Sequence, residues 1–107
     1  MLPITQTEYR DSNGRSPFRI WFDDLNGPAA TRVGKALYQL AWGNVSHVKS
    51  VGGGVSELRI EFGPGIRVYF GRDGEAVVIL LGGGTKKRQQ RDIAKAQERW
   101  LDYKRRK

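Results

Sequence analysis

The chain is short, strongly basic and free of cysteine: it has 107 residues, a formal net charge of +8, three Trp, four Tyr and four Phe. This length fits one domain, residues 1–107, and the missing cysteine excludes disulfides and cysteine-ligated metals. The longest apolar run, 76–81, is far shorter than the ~20 residues of a membrane helix. Because the N-terminus also lacks a signal-peptide pattern, we expect a cytoplasmic protein with no membrane contact.

The positive charge is concentrated at the C-terminal end. Residues 85–107 contain ten basic and three acidic side chains, whereas residues 1–84 contain nine and eight. Such asymmetry indicates attraction to nucleic acid, an anionic membrane or an acidic partner, and among these we favour RNA. The alternative is a solvated helix face followed by a basic tail from about residue 103.

The N-terminal third predicts a strand followed by a helical hairpin. Residues 4–9 alternate between apolar and polar, which is typical of a strand. Ser16-Pro17 reads as a helix start, Asn26-Gly27 ends that helix, and Pro28 opens the next. The apolar face of the second helix comprises Ala30, Val33, Leu37, Leu40 and Ala41.

The remainder predicts a loop, a three-stranded antiparallel sheet and a C-terminal helix. Residues 43–54 read as a loop that contains the only histidine, His47. The predicted strands are 55–62, 66–71 and 75–81, with Gly82-Gly83-Gly84 closing the sheet. A helix runs from about Lys86 towards Tyr103, with an inner stripe of Ile93, Ala94, Gln97, Trp100 and Leu101. The fold class is therefore α+β.

Polar side chains share one face of the first two sheet strands. If Gly63-Pro64-Gly65 is a three-residue loop, Glu61 lies opposite Arg67 and Arg59 lies opposite Tyr69. We expect these side chains to be exposed and suited to holding a phosphate and a base or ribose. Simple cross-strand ion pairing, Glu61 with Arg67 and Glu57 with Arg59, is the alternative.

The third strand and the glycine-lysine segment after it lead to two further expectations. That strand is expected to add only Val78 and Leu80 to the polar face. The segment Gly82-Gly83-Gly84-Thr85-Lys86-Lys87 is either an anion site at a helix start or a tight turn that needs glycine. It lacks the spacing of a nucleotide-binding P-loop.

Metal and histidine chemistry are not expected. His47 stands alone, and the neighbouring Asp23 and Asp24 do not face the same way on a helix. Any hydrolysis would then depend on Arg, Lys, Tyr and a carboxylate, with no cofactor.

These motifs resemble a known superfamily. The segments 54–60 and 63–70, followed by Leu80-Leu81-Gly82-Gly83-Gly84-Thr85-Lys86-Lys87 and Asp92-Ile93, are similar to the RelE/ParE/HigB toxins. The resemblance is closer to the addiction module killer, or phage Gp49-like, HigB-type branch, and extends to about residue 101. It implies a RelE-like fold: an N-terminal strand, a helical hairpin, an antiparallel sheet and a C-terminal helix.

The resemblance implies the toxin of a type II toxin–antitoxin module. Many members cut mRNA on the ribosome without a metal, using the ribose 2′-OH as the nucleophile. Arg67 would stabilise transition-state charge, Lys86 (or Lys87) would donate a proton or clamp a phosphate, and Arg59 would add a phosphate contact. Tyr69 would stack on a base or orient the ribose. Glu57 is a further candidate for the base, although the best-known members of the family carry a basic residue on the comparable strand. The basic helix, with Lys87, Arg88, Arg91 and Lys95, would lie along RNA.

Some positions depart from the family pattern and leave alternatives open. Ile66 replaces the usual Tyr, and Asp92 stands near the place of a C-terminal Tyr. A ParE-like toxin that inhibits DNA gyrase and a non-toxic nucleic-acid-binding relative remain possible readings. For a toxin, the implied partners are mRNA, the ribosome and a small helix-turn-helix antitoxin in a heteromeric complex.

Overall fold

The computed structural model describes residues 2–107 and confirms the α+β class. The chain folds as β1 (Thr5–Glu8), α1 (Pro17–Asp23), α2 (Gly27–Ala41), β2 (Val48–Gly52), β3 (Val55–Ile60), β4 (Ile66–Asp73), β5 (Val77–Thr85), a 3₁₀ turn (Lys86–Arg88) and α3 (Gln89–Arg106). The five strands form one sheet in the order β1-β5-β4-β3-β2. The sheet is mixed, because β1 pairs with β5 in parallel while the other pairs are antiparallel. No helix within residues 2–107 is long and apolar enough to cross a membrane.

Side-chain caps start the first two helices. The Ser16 hydroxyl accepts from the Arg19 amide at 3.0 Å, and Asn26 Oδ1 accepts from the Ala29 amide at 2.9 Å. A proline stands in the first turn of each helix, where no backbone donor is needed. Asn26 therefore opens α2, and the prediction that it ends the preceding helix is wrong: α1 ends at Asp23.

The predicted loop at 43–54 contains a strand. Val48–Gly52 forms β2, an edge strand antiparallel to β3. Gly52, Gly53 and Gly54 all have positive φ, between 65° and 93°, which permits the tight reversal between the two strands. The strand is short, largely exposed and interrupted by an irregularity after Ser50, so it carries little of the apolar alternation that identifies strands.

Helices cover both faces of the sheet. One core lies between the sheet and α1 and α2, and includes Phe18, Val33, Leu40, Val68 and Phe70. The other lies beneath α3, and its buried members are Tyr9, Val55, Tyr69, Ile79, Leu81, Ala96 and Trp100. The second core decides which side chains of the polar face meet solvent.

The inner face of α3 differs in part from the predicted stripe. Ala96 and Trp100 are buried, whereas Ala94 and Leu101 are exposed. The Trp100 indole lies directly over Gly71, where any Cβ would clash with the ring. With Trp100 packed on Gly71, positions 93, 96, 100 and 103 of α3 face the sheet.

Candidate functional site

The β3–β4 hairpin pairs Arg59 with Arg67 and Glu57 with Tyr69. Ile60, and not Phe62, pairs with Ile66, so the loop has five residues. It is closed by hydrogen bonds from the Phe62 amide to the Ile60 carbonyl at 3.0 Å and from the Gly65 amide to the Phe62 carbonyl at 3.1 Å.

This register corrects the predicted pairs and keeps the predicted face. Glu61 lies in the exposed loop, so neither Glu61–Arg67 nor Arg59–Tyr69 is a cross-strand pair. A shift of two residues leaves the side-chain direction unchanged, and Arg59, Arg67, Glu57 and Tyr69 therefore still share one face.

The start of α3 covers most of this face. Arg67 is 8% exposed and Tyr69 is 1% exposed, so the expectation of exposed side chains is wrong for these two residues, and Glu57 on the same face is also only 1% exposed. Gln89 Nε2 donates to Glu57 Oε2 at 2.7 Å, and Arg67 Nε lies 3.7 Å from Glu57 Oε1. The Glu57 carboxylate thus sits between an amide of α3 and a guanidinium of β4.

The Arg67 guanidinium and the Cβ of Lys86 both lie next to Gly65. A Cβ at Gly65 would lie 3.5 Å from Arg67 Nη1 and 3.4 Å from Lys86 Cβ, and the Lys86 amide donates to the Gly65 carbonyl at 2.9 Å. Within residues 2–107, Nε is the one Arg67 nitrogen that is both sealed from solvent and without a hydrogen bond. The two terminal nitrogens of Arg67 are not sealed in this way, so they are the atoms of this side chain that can contact an anion.

Burial, followed by the charge of Glu57, raises the pKa of Tyr69 far above that of an ordinary phenol. The hydroxyl stays protonated at neutral pH, so it can donate a hydrogen bond but cannot act as a base. Within residues 2–107 no hydrogen bond of normal geometry reaches this hydroxyl, although the Glu57 carboxylate lies close enough to raise its pKa. The ring is enclosed beneath α3, so stacking on a base, as the resemblance implies, is not available in this conformation.

We expect Tyr69→Phe to leave stability unchanged or to raise it by about 1 kcal/mol, because a buried hydroxyl without a partner is removed. Tyr103→Phe is the matched control: its hydroxyl donates to Asp73 Oδ2 at 2.6 Å, so this change should lower stability. Urea unfolding of both variants measures the difference. A Tyr69→Phe protein less stable than Tyr103→Phe would contradict the assignment.

The other basic residues line open clefts around the cluster. Lys86, Lys87, Arg88 and Arg91 border a cleft of about 460 Å³ at the start of α3. Lys95 borders a separate cleft with Asp92 and Arg99. The structure therefore brings Lys86, Lys87, Arg88 and Arg91 together and leaves Lys95 apart. Arg59 is exposed and lines a cavity on the other side of the hairpin, next to α2.

The three glycines lie inside β5 and do not end it. Tyr69 pairs with Gly82 and Phe70 pairs with Leu80, so Leu81 is an extra residue in the ladder. Gly82 and Gly84 consequently share the face of Arg67 and Tyr69, whereas Val78 and Leu80 belong to the opposite core, contrary to the prediction. A bulge of this kind reverses the alternation beyond it.

A larger side chain packs directly against each of these three glycines. Arg99 Nη1 lies 2.7 Å from the position of a Gly82 Cβ, Trp21 covers Gly83 and Asp92 covers Gly84. Close packing therefore accounts for the glycine run, and the predicted tight turn is wrong because the three glycines lie within β5.

We expect Gly83→Ala to destabilise the fold by about 1–3 kcal/mol, since the new methyl group displaces the Trp21 ring that packs on Gly83. Gly34→Ala in α2 is the matched control, because nothing lies within 4 Å of its Cβ position and alanine favours a helix. Thermal unfolding followed by tryptophan fluorescence measures both. Equal midpoints for the two variants would contradict the packing argument.

Three contributing residues were missed in the sequence analysis. Gln89 holds the Glu57 carboxylate, and no local pattern marks a glutamine as the partner of a residue 32 positions away. Arg32 and Lys35 line the cavity that also contains Arg59; both lie mostly off the apolar face of α2, which was the available signal. Among the residues that the structure describes, no three His, Asp or Glu side chains form a metal-binding group.

Comparison with known proteins shows the family. The family model described as phage derived protein Gp49-like (DUF891) matches residues 20–101. An uncharacterized protein of Haemophilus influenzae is 40% identical over 80 residues, which are 74% of this chain and 81% of that relative. The Gp49-like family comprises addiction-module, toxin-like proteins, and this chain belongs to it.

Proposed function

We propose that this chain is the toxin of a type II toxin–antitoxin module and cuts mRNA on the translating ribosome without a metal. Family membership supports a toxin with an antitoxin partner. The RNA chemistry is supported by one observation: Arg67 Nη1 and Lys86 Cβ both lie next to Gly65, and Lys86 also lines a cleft with further basic residues.

In the proposed reaction the ribose 2′-OH loses its proton to a water molecule and the 2′-oxygen attacks the adjacent phosphorus, which forms a 2′,3′-cyclic phosphate as the bond to the 5′-oxygen breaks. Negative charge accumulates on the phosphoryl oxygens, and the terminal nitrogens of Arg67 stabilise it. Lys86, exposed at the cleft, protonates the leaving 5′-oxygen or clamps the phosphate. Arg59, directly across the ladder from Arg67, contacts a neighbouring phosphate.

The buried residues have supporting roles in this proposal. Glu57 lies under Gln89 and beside Arg67, so we assign it to orienting the guanidinium and not to deprotonating the 2′-OH. Tyr69 remains a neutral donor next to that carboxylate. Lys87, Arg88, Arg91 and Lys95 hold the RNA backbone, so binding should weaken with salt by about one log–log unit per phosphate.

Mapping of cellular mRNA by primer extension after brief induction tests the proposal. We expect growth arrest with in-frame cuts that disappear when translation is blocked. Intact mRNA with relaxed or damaged DNA would indicate a ParE-like gyrase inhibitor. Normal growth at high expression would indicate a non-toxic nucleic-acid-binding relative. The proposed antitoxin, a small helix-turn-helix protein, should suppress the arrest when co-expressed.

A further inference from the structure

A cationic cavity lies between α2 and the ends of β2 and β3. Its volume is about 510 Å³, which lies within the range that holds a nucleotide-sized ligand. Its polar lining comprises Arg32, Lys35 and Gln39 from α2, with His47, Arg59 and Glu61 from the sheet side. This cavity is separate from the cleft at the start of α3.

The cations of this cavity are not neutralised by the protein. Within residues 2–107, neither Arg32, Lys35 nor Arg59 forms an ion pair with a carboxylate, and the one acid in the lining, Glu61, is exposed. Arg32 Nη2 donates to the Glu61 carbonyl at 3.1 Å and its guanidinium lies over the Phe62 ring. This fixes one cation at the rim and leaves an excess of positive charge inside.

Exposed aromatic rings stand next to the cavity. Tyr38 is 67% exposed and Trp42 is 47% exposed, so both rings are accessible to a ligand. Tyr38 follows the cavity residue Lys35 by three positions on α2, and Trp42, the C-cap residue directly after α2, follows Gln39 by three positions, so each ring neighbours a lining side chain. A basic groove flanked by accessible rings is the arrangement that holds single-stranded nucleic acid.

We propose that this cavity binds a backbone phosphate of single-stranded RNA between Lys35 and Arg59, with an adjacent base stacked on Tyr38 or Trp42. The choice of RNA rests on the proposed function. Because Arg59 lies opposite Arg67 in the ladder, one strand can pass from the reacting phosphate to this cavity along the end of the hairpin. The site binds RNA beyond the cut and contributes no group to the chemistry.

The test measures binding and not cleavage. The probe is a fluorescently labelled 2′-O-methyl oligouridylate of about 12 nucleotides, which has no 2′-OH to react. Its dissociation constant is measured by anisotropy across a salt series for the wild type, Lys35→Gln and Tyr38→Ala. Lys104→Gln is the control of equal charge, because Lys104 is exposed near the opposite end of the sheet.

We expect Lys35→Gln and Tyr38→Ala to change RNA binding in two different ways. Lys35→Gln lowers the slope of log Kd against log salt by about 0.7, the value for one phosphate contact on a single strand. Tyr38→Ala raises Kd about tenfold without changing the slope, as the loss of one stacking platform does. Lys104→Gln leaves both unchanged.

Several outcomes would overturn the site. If the wild type binds and both α2 variants match it, this inference fails while the proposed cleavage stands. If all three variants weaken binding equally, the attraction is general charge and not a site. If the α2 variants weaken only the complex with the antitoxin, the surface docks protein. If the wild type binds no free RNA, this inference fails, whereas the proposed cleavage on the ribosome is judged by primer extension alone.

Discussion

Arg67→Ala should abolish growth arrest in a chain that still folds. Loss of one donor to a developing oxyanion costs about 100- to 1,000-fold in rate. The Arg67 guanidinium is also held within the fold, with Nε facing Glu57 and Nη1 beside Gly65. Growth curves after induction and primer extension on cellular mRNA measure the result.

Burial of Arg67 makes a stability control necessary. Removing the side chain leaves the Glu57 carboxylate with Gln89 alone, so Arg67→Ala should unfold more easily than the wild type. Gly83→Ala provides the matched control, since it is destabilised by packing while Arg67 and Lys86 are untouched. Gly83→Ala should stay toxic at a temperature where both variants are folded.

Arg67→Lys separates charge from geometry. Lysine keeps the positive charge but cannot both face Glu57 through Nε and present two further donors. We therefore expect Arg67→Lys to remain strongly impaired. Full toxicity in a well-expressed Arg67→Ala chain would refute the assignment of Arg67.

The helices and the order of elements were predictable because their signals are local. Ser16 and Asn26 cap helices within three residues, and the apolar spacing of α2 matches its buried face at Val33 and Leu40. β2 carried no comparable signal, because an exposed edge strand buries few side chains and needs little alternation.

Register and burial depended on contacts distant in sequence. The five-residue loop after Ile60 moved the pairing of Arg67 by two residues, and the bulge at Leu81 exchanged the faces of β5. No alternation rule anticipates a bulge, since it conflicts with the pattern that the rule reads.

The residue types at the candidate site were predicted better than their environment. Arg67, Tyr69 and Lys86 do lie around one corner of the sheet, but the cover provided by Gln89 changes what each can do. An exposed Glu57 could serve as a base. A Glu57 enclosed by Gln89 and Arg67 is better suited to holding a guanidinium in place.

Glu57→Ala should be the most destabilising single change at the candidate site, lowering the free energy of unfolding by about 3 kcal/mol. Glu57 is 1% exposed, so its removal leaves a cavity, strands the buried Nε of Arg67 and takes away the acceptor of Gln89. Urea unfolding measures the loss. If Glu57→Ala is as stable as the wild type, the pairing of Glu57 with Arg67 contributes nothing to the free energy of unfolding.

A double replacement distinguishes a charge penalty from a packing penalty. In Glu57→Leu with Arg67→Met both charges leave the interior together, and apolar side chains of similar volume take their place. We expect this protein to regain most of the stability lost in Glu57→Ala, while remaining as inactive as Arg67→Ala. If the double variant stays as unstable as Glu57→Ala, the loss of stability comes from poor packing and not from an unpaired buried charge.

Glu57→Gln then identifies what the carboxylate does for the proposed reaction. The amide keeps the shape and can still accept from Gln89, but it cannot take a proton. If Glu57 orients Arg67, activity should fall by about 10- to 100-fold, the usual effect of losing an orienting partner. If Glu57 is the base, Glu57→Gln should be as inactive as Arg67→Ala. Because Gln89 and Arg67 enclose the carboxylate, we expect the smaller loss.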